Sequence, residues 1–217
     1  MTAILKEKAK GFSRRVVEEL SAARNEPAWL RQRRLEAWQA YEATPMPTLQ
    51  DESWRRTDIS VLPLEELAPF GEAPYGPLAS PAGLPQEVRA LLDRGQADGG
   101  LLVQHDSQVV YTSLAEEAAR QGVIFTSLER AAIDHRDLVE PYLMTRALSP
   151  QYGKFTALHG ALWSGSAFVY VPQGVDVALP LRALWWLASP GVAVFPHTLI
   201  VMEAGSRLSF IAEQFSP

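Results

Sequence analysis

The chain has 217 residues, 47% of them apolar and 21% charged, and a formal net charge of −5. This composition supports a sizeable core, and the acidic balance argues against a dedicated nucleic-acid binder. The sequence contains no cysteine, which excludes disulfides, thiolate nucleophiles and cysteine-ligated zinc or iron–sulfur sites within it. No secretory signal and no apolar run long enough to cross a membrane is found, so the expected location is the cytoplasm.

The N-terminal segment is rich in charge and is predicted to be helical. Up to Asp58 it holds 11 Lys and Arg against 9 Asp and Glu, whereas the rest of the chain is acidic. The mixture of apolar and charged residues from Ile4 to Arg24 predicts one helix. Pro27 suits the first turn of a second helix, and Pro45 and Pro47 end it. Three arginines of this helix are interpreted as a solvated face, with contact to an anionic partner as the alternative: Arg31, Arg33 and Arg34.

A connector and a hairpin follow the helical segment. Residues 63–85 hold six prolines and three glycines, a density that predicts an extended connector and excludes a regular helix or central strand. A short helix is expected at Gln86–Arg94. Apolar runs at Leu101–Gln104 and Gln108–Thr112 predict a β-hairpin around the polar turn His105–Ser107.

Two further stretches match the capping box, in which a hydroxyl and a carboxylate satisfy free N–H groups at a helix start. They are Ser113–Glu116 and Thr126–Glu129, and a helix is expected after each, with a strand at Val123–Phe125 between them. Together with the hairpin these elements form a small mixed α/β unit. The chain is thereby divided into a helical, a connecting, a mixed and a β-rich segment: 1–60, 61–100, 101–152 and 153–217.

The last segment contains four apolar runs separated by turns that are rich in proline and glycine. From Phe155 onward the chain has only two basic and three acidic residues, which indicates buried strands. Short strands and many turns favour a β-helix, in which each strand pairs with the coils above and below, and a β-sandwich is the alternative. The predicted strands are Ala167–Val171, Leu179–Leu187, His197–Glu203 and Leu208–Gln214.

No polar capping element follows the last predicted strand before the sequence ends. We therefore expect the coils to be cut off in the middle of the fold. An unfinished last coil has unpaired strand edges that pair with any available strand. A homo-oligomer through this open end is a further expectation.

No residue is assigned a catalytic, cofactor-binding or metal-ligating role from the sequence. The histidines are far apart and form neither an HxH nor an HxxxH pair, so they are interpreted as unrelated. They are His105, His135, His159 and His197.

The residues alone are also compatible with two other classes of function. A polysaccharide-cleaving β-helix enzyme needs clustered carboxylates, and a carbohydrate-binding module needs exposed aromatic rings. The acidic candidates in the β-rich segment are Asp176, Glu203 and Glu213. The aromatic candidates are Trp163, Trp185 and Trp186, of which the adjacent pair must point to opposite faces of a strand.

Four motifs in chain order resemble the SufB/SufD family of iron–sulfur cluster assembly scaffolds. Residues 25–37, with Asn25-Glu26-Pro27 and Arg34-Leu35-Glu36-Ala37, resemble both branches of the family. Residues 54–58 are similar to the WRYTD segment of the SufD branch, with Arg56 in place of the usual tyrosine. Residues 168–181, FVYVPQGV followed by Pro180-Leu181, resemble the entry into the family's β-helix, and residues 197–206 resemble its next coil.

The resemblance covers most of the chain and implies a fold and partners. It implies an α+β fold, with an N-terminal helical and mixed region followed by the first coils of a right-handed parallel β-helix. It also implies a cytoplasmic complex with a SufB-like paralogue and a SufC-like ABC ATPase, with no nucleic acid and no membrane involved. The contact regions of the family lie beyond residue 217. The implied role is a scaffold without catalysis and without a cofactor in this part of the chain.

Overall fold

The structure, a computed structural model, describes residues 10–93 and 99–216. These residues fold into two units, each assembled from non-contiguous stretches. The first unit takes the described residues up to Phe70 together with Met144–Leu162 and Pro190–Ala193. The second takes Gly71–Leu143, Trp163–Ser189 and the described residues from Val194 onward. The four sequence segments remain a prediction, because units built from separate stretches do not test them one by one.

Among the described residues, helices come first, helices and strands are mixed in the middle of the chain, and the last four elements are strands. The α-helices are α1 (Arg14–Ala23), α2 (Ala28–Ala43), α3 (Gln86–Leu92), α4 (Glu116–Arg120), α5 (Leu128–Asp134), α6 (Arg136–Val139) and α7 (Lys154–Leu162). The strands are β1 (Gly100–His105), β2 (Gln108–Leu114), β3 (Ile124–Ser127), β4 (Ala167–Val171), β5 (Leu181–Trp186), β6 (Thr198–Met202) and β7 (Phe210–Phe215). Short 3₁₀ helices occur at Pro81–Gly83 and Pro150–Tyr152. No helix in the described ranges has the length and apolar character needed to cross a membrane.

The first unit is a helical layer of α1, α2 and α7. The Ser13 side chain accepts a hydrogen bond from the Val16 N–H and begins α1, so the predicted first helix is shorter than expected, and residues 4–9 lie outside the described residues. Pro27 precedes α2, which ends at Ala43 before Pro45, as predicted. The apolar faces of the three helices form the core of this unit, with Leu20, Leu30 and Leu158 fully buried.

Within this core, Arg34 of α2 forms a buried ion pair with Glu26 and a hydrogen bond to α7. Arg34 donates through Nη2 to Oε1 of Glu26 at 2.7 Å and through Nε to its Oε2 at 2.8 Å. Nη1 donates to the Ala161 carbonyl oxygen at 3.1 Å, and the two side chains are 0% and 2% exposed. The prediction that Arg34 belongs to a solvated face is therefore wrong. Arg31 is exposed, and Arg33 lies over the Trp29 ring.

His159 of α7 makes the stability of this unit dependent on pH. Burial and, to a smaller extent, the nearby Arg34 charge together lower the pKa of His159 to about 4. The unfolded chain protonates this group near pH 6.5, so stability is complete above that pH and is lost as the pH falls toward 4. We expect the free energy of unfolding to fall by about 2–3 kcal/mol over this window because of His159 alone.

Urea unfolding at pH 7.5 and pH 4.5 measures this loss. The His159→Gln variant should lose less stability than the wild-type chain on acidification, and the half-buried His135→Gln serves as the matched control. Equal losses in the wild-type chain and His159→Gln would contradict the assignment.

The second unit contains two sheets. The first has the strand order β2-β1-β5-β7 and the second has the order β3-β4-β6. Both sheets are mixed, because β1 pairs with β2 and β3 with β4 in antiparallel fashion. The pairs β1–β5, β5–β7 and β4–β6 are parallel. Apolar residues of both sheets form one buried cluster that includes Val169, Val171, Leu181 and Ala183.

These mixed sheets correct the predicted fold class. The structure is α+β, but the expected right-handed parallel β-helix is wrong, because the described strands form two mixed sheets and neither a closed nor a solenoid sheet. The four predicted strands of the last segment are present, at β4 to β7. Proline and glycine spacing locates the turns between strands, but it does not determine which strands pair. The expected homo-oligomer through an open β-helix end loses its basis with this correction.

The structure confirms one of the predictions made from the motifs of the mixed region and corrects the others. The hairpin of β1 and β2 is confirmed, although His105 belongs to β1 and only Asp106 and Ser107 form the turn. The capping box at Ser113 is wrong, because Ser113 pairs with Leu101 in the hairpin and α4 begins without a side-chain cap. In the second motif Ser127 caps α5 in place of Thr126, by accepting from the Arg130 N–H.

Candidate interaction surface

The strands β6 and β7 are the edges of the two sheets. Among the described residues β6 is paired only with β4 and β7 only with β5. Each strand therefore has one side on which its backbone N–H and C=O groups meet no other strand. Unpaired groups of this kind are a template for pairing with a strand of another polypeptide.

The apolar cluster between the sheets continues to these edges. Ile200 and Met202 are in register with the fully buried Val169 and Val171, so they lie on the same face of their sheet. They are nevertheless 38% and 44% exposed, because no strand of the described residues lies beyond them. In the other sheet Phe210 and Ala212 are in register with the buried Leu181 and Ala183. We call these four side chains and the outer sides of β6 and β7 the edge surface.

Backbone hydrogen bonds join the turn between β6 and β7 to the turn that follows β4. The Glu203 N–H donates to the Val171 carbonyl at 3.0 Å, and the Gly174 N–H donates to the Ala204 carbonyl at 3.1 Å. The Arg207 N–H then donates to the Val175 carbonyl at 2.8 Å. The two turns therefore lie side by side, which is consistent with the register of β6 with β4 and of β7 with β5.

A buried arginine supports β7 from the outer face of its sheet. Arg182 of β5 forms an ion pair with Glu213 of β7. Its guanidinium also donates to the carbonyl oxygens of Leu91 and Leu92 at 3.1 and 3.3 Å, at the end of α3. Helix C-terminal carbonyls lack intrahelical partners, and a cation there is favourable. Glu213, an acidic candidate from the sequence, is thus a structural partner of Arg182.

The remaining titratable candidates are separate from one another. Asp176 forms an exposed ion pair with Arg207 at 3.6 Å, and Glu203 is exposed. His105 is buried, its Nδ1 lies 3.1 Å from the Tyr75 hydroxyl oxygen, and burial lowers its pKa while the Asp106 charge opposes the shift. Within residues 10–93 and 99–216, no three His, Cys, Asp or Glu side chains come together as a possible metal site.

The tryptophan candidates do not form an exposed platform. Trp163 and Trp185 are buried in the second unit. Trp186 is half-buried, and its ring centroid lies 4.4 Å from that of His105. The opposite orientations expected for Trp185 and Trp186 place one in the cluster between the sheets and the other in a cluster on the outer face. The carbohydrate-binding interpretation therefore lacks the surface that it needs.

A buried amide that sequence reasoning missed joins the two sheets. Gln104 of β1 donates through Nε2 to the Asp106 carbonyl at 2.6 Å and to the Ser164 carbonyl at 3.3 Å. Its Oε1 accepts from the Ser166 N–H at 2.6 Å, immediately before β4. A single glutamine in an apolar strand gives no sequence signal for this role. These hydrogen bonds fix the backbone directly before β4, and β4 is the strand on which β6 of the edge surface pairs.

Open strand edges beside an apolar cluster are typical of proteins that form complexes by strand addition. Comparison with known proteins identifies the family: residues 100–183 match the SufBD protein N-terminal region. The chain is 36% identical over 203 residues to the iron-sulfur cluster assembly protein SufD of Bacillus subtilis, which covers 92% of this chain and 44% of that protein. The chain belongs to the SufB/SufD family, as its motifs predicted.

Two further relatives define its position in that family. The iron-sulfur cluster assembly protein SufB of Bacillus subtilis is 28% identical over 209 residues, covering 93% of this chain and 43% of that protein. An iron-sulfur cluster assembly SufBD family protein of Mycobacterium tuberculosis is 31% identical over 210 residues, covering 93% of this chain and 24% of that protein. The chain thus spans less than half the length of these curated relatives. Its higher identity to SufD than to SufB of the same organism supports the SufD type.

Proposed function

We propose that this chain is a scaffold component, without catalysis of its own, of an iron–sulfur cluster assembly complex. The observation that carries the proposal is the 36% identity to a SufD over 92% of the chain. The proposed partners are a SufB-like paralogue and a SufC-like ABC ATPase, and the proposed location is the cytoplasm. Because these 217 residues contain no cysteine, we propose that the cluster, which is the cargo of the complex, is held by ligands outside them.

Deletion of the encoding gene in its host tests the proposed role. We expect the activity of a [4Fe–4S] dehydratase to fall while the amount of its polypeptide is unchanged, because cluster supply is limiting. Reintroduction of the gene should restore the activity, and affinity purification of its product should recover the paralogue and the ATPase. Unchanged cluster enzymes in the deletion strain, with a product that purifies alone, would overturn the proposal.

A further inference from the structure

The first unit carries a groove that neither the core nor the edge surface explains. It has a volume of about 450 Å³ and lies between the loop after α2 and the start of α7. Its lining combines prolines, aromatic rings and a methionine with polar side chains that include two carboxylates and a lysine. The lining residues used below are Met46, Asp51, Trp54, Tyr152 and Phe155, and we call this site the aromatic groove.

The aromatic rings of the groove are held in place, although Tyr152 is exposed and Trp54 and Phe155 are only half-buried. Tyr152 is 65% exposed, yet its hydroxyl donates to the Arg146 carbonyl at 2.8 Å, which fixes the ring. The rings of Trp54 and Phe155 pack against each other with centroids 5.4 Å apart. Aromatic surface that is rigid before binding costs little entropy on association and is typical of binding hot spots.

Two carboxylates lie at the rim of the groove, those of Glu52 and Asp51. Glu52 forms an exposed ion pair with Arg55 at 3.1 Å, so Asp51 is the carboxylate that faces a ligand without a cationic partner of its own in the lining. One oxygen of Asp51, Oδ2, accepts from the Thr48 N–H at 2.6 Å and from its hydroxyl at 3.1 Å, which orients the carboxylate. The cation of the lining, Lys154, is turned to Tyr41, with Nζ 2.6 Å from the Tyr41 carbonyl oxygen and 3.8 Å from its ring centre. Its charge is thereby engaged outside the groove. The open rim thus favours a cationic group over an anionic one.

The groove also offers backbone donors. The first-turn N–H groups of α7, which include that of Phe155, have no intrahelical partner and lie in the lining. A polyproline II segment carries free carbonyl oxygens that can accept from such groups, and its rings pack on aromatic faces. Because this conformation is already ordered before binding, its entropy loss is small.

From this combination we propose that the aromatic groove binds an extended, proline-containing peptide segment of a partner protein with a lysine or arginine beside its prolines. The proline rings pack on Tyr152 and Trp54. The carbonyl oxygens of the segment accept from the start of α7. The cationic side chain lies against Asp51.

Fluorescence anisotropy with the whole 217-residue chain tests the site. The probe is an array of fluorescein-labelled decapeptides with two prolines three positions apart and a flanking arginine. Matched arrays replace the arginine by glutamate or the prolines by alanine. We expect saturable binding of the proline–arginine array in the micromolar range, and affinities at least about tenfold lower for both matched arrays.

Substitutions at two exposed residues locate the binding site. Tyr152→Ala should weaken binding about tenfold, and Tyr152→Phe, which keeps the ring but loses its anchor to Arg146, should weaken it less. Asp51→Asn should weaken only the arginine peptides, about threefold, and reduce their salt dependence. The matched controls in the second unit, Tyr142→Ala and Asp137→Asn, should leave binding unchanged.

Three outcomes would overturn the proposal. They are the absence of binding below millimolar concentration across the proline–arginine array, equal effects of Tyr152→Ala and Tyr142→Ala, and equal binding of the glutamate array. Thermal melts of each variant, followed by circular dichroism, separate lost binding from lost folding.

Discussion

Replacement of Arg34 by methionine is expected to lower the free energy of unfolding by about 3–5 kcal/mol. The guanidinium is completely buried, and it accounts for the hydrogen bonds of the equally buried Glu26 carboxylate and of the Ala161 carbonyl. Methionine fills similar volume but leaves a carboxylate without its partner in the core. An unpaired buried charge costs more than the pair contributes, which makes this one of the largest expected single-residue effects.

Urea unfolding at pH 7.5 measures this effect, and two further variants identify its cause. Arg31→Met changes an exposed arginine of the same helix and should shift the free energy of unfolding by no more than about 0.5 kcal/mol. The double variant Arg34→Met with Glu26→Gln removes both charges and should recover part of the loss. If the double variant is as unstable as the sum of both single variants, the unpaired charge is not the cause.

Substitution of Gly165 by alanine is expected to destabilise the chain by about 2–4 kcal/mol. Gly165 has a φ of 71°, and a Cβ atom there would lie 2.4 Å from both Cδ and Oε1 of Gln104. The amide of Gln104 cannot move aside, because it is buried and bonded to Asp106, Ser164 and Ser166. The added methyl must therefore break the hydrogen bonds that join the two sheets.

Gly174→Ala is the matched control for this overlap. Gly174 has the same φ of 71°, but an added Cβ would meet no atom within 4 Å. Its substitution should cost only the left-handed backbone conformation, about 1 kcal/mol. Urea unfolding of both variants gives the difference, which isolates the contact with Gln104. Equal losses would show that backbone conformation alone accounts for the effect at Gly165.

The edge surface shows how far local sequence reasoning reaches. The turn residues around Gly174 and Gly205 correctly separated β4 to β7, because proline and glycine act on the backbone of their own neighbourhood. The exposure of Ile200 was not predictable in this way. It depends on whether a strand lies beyond β6, and this is a property of sheet order and not of the isoleucine or its neighbours.

The aromatic groove was likewise not predictable from local sequence. Trp54 was visible as part of a family motif, and Tyr152 and Phe155 as single aromatic residues about 100 positions later. Only the packing of α7 against the first two helices places these rings together. Contacts of such long sequence separation leave no periodic pattern in either stretch, so the groove had no signal in the sequence.

The sequence by itself determined the family, most helix and strand positions and the absence of thiol chemistry. These depend on residue identity and on spacing over a few positions, where backbone propensity and side-chain period act directly. The tertiary structure alone decided the pairing of the strands into two mixed sheets, the burial of Arg34 and the role of Gln104. Each of these depends on partners that are distant in the chain, and the free energy that selects them comes from burial and hydrogen bonds formed only on folding.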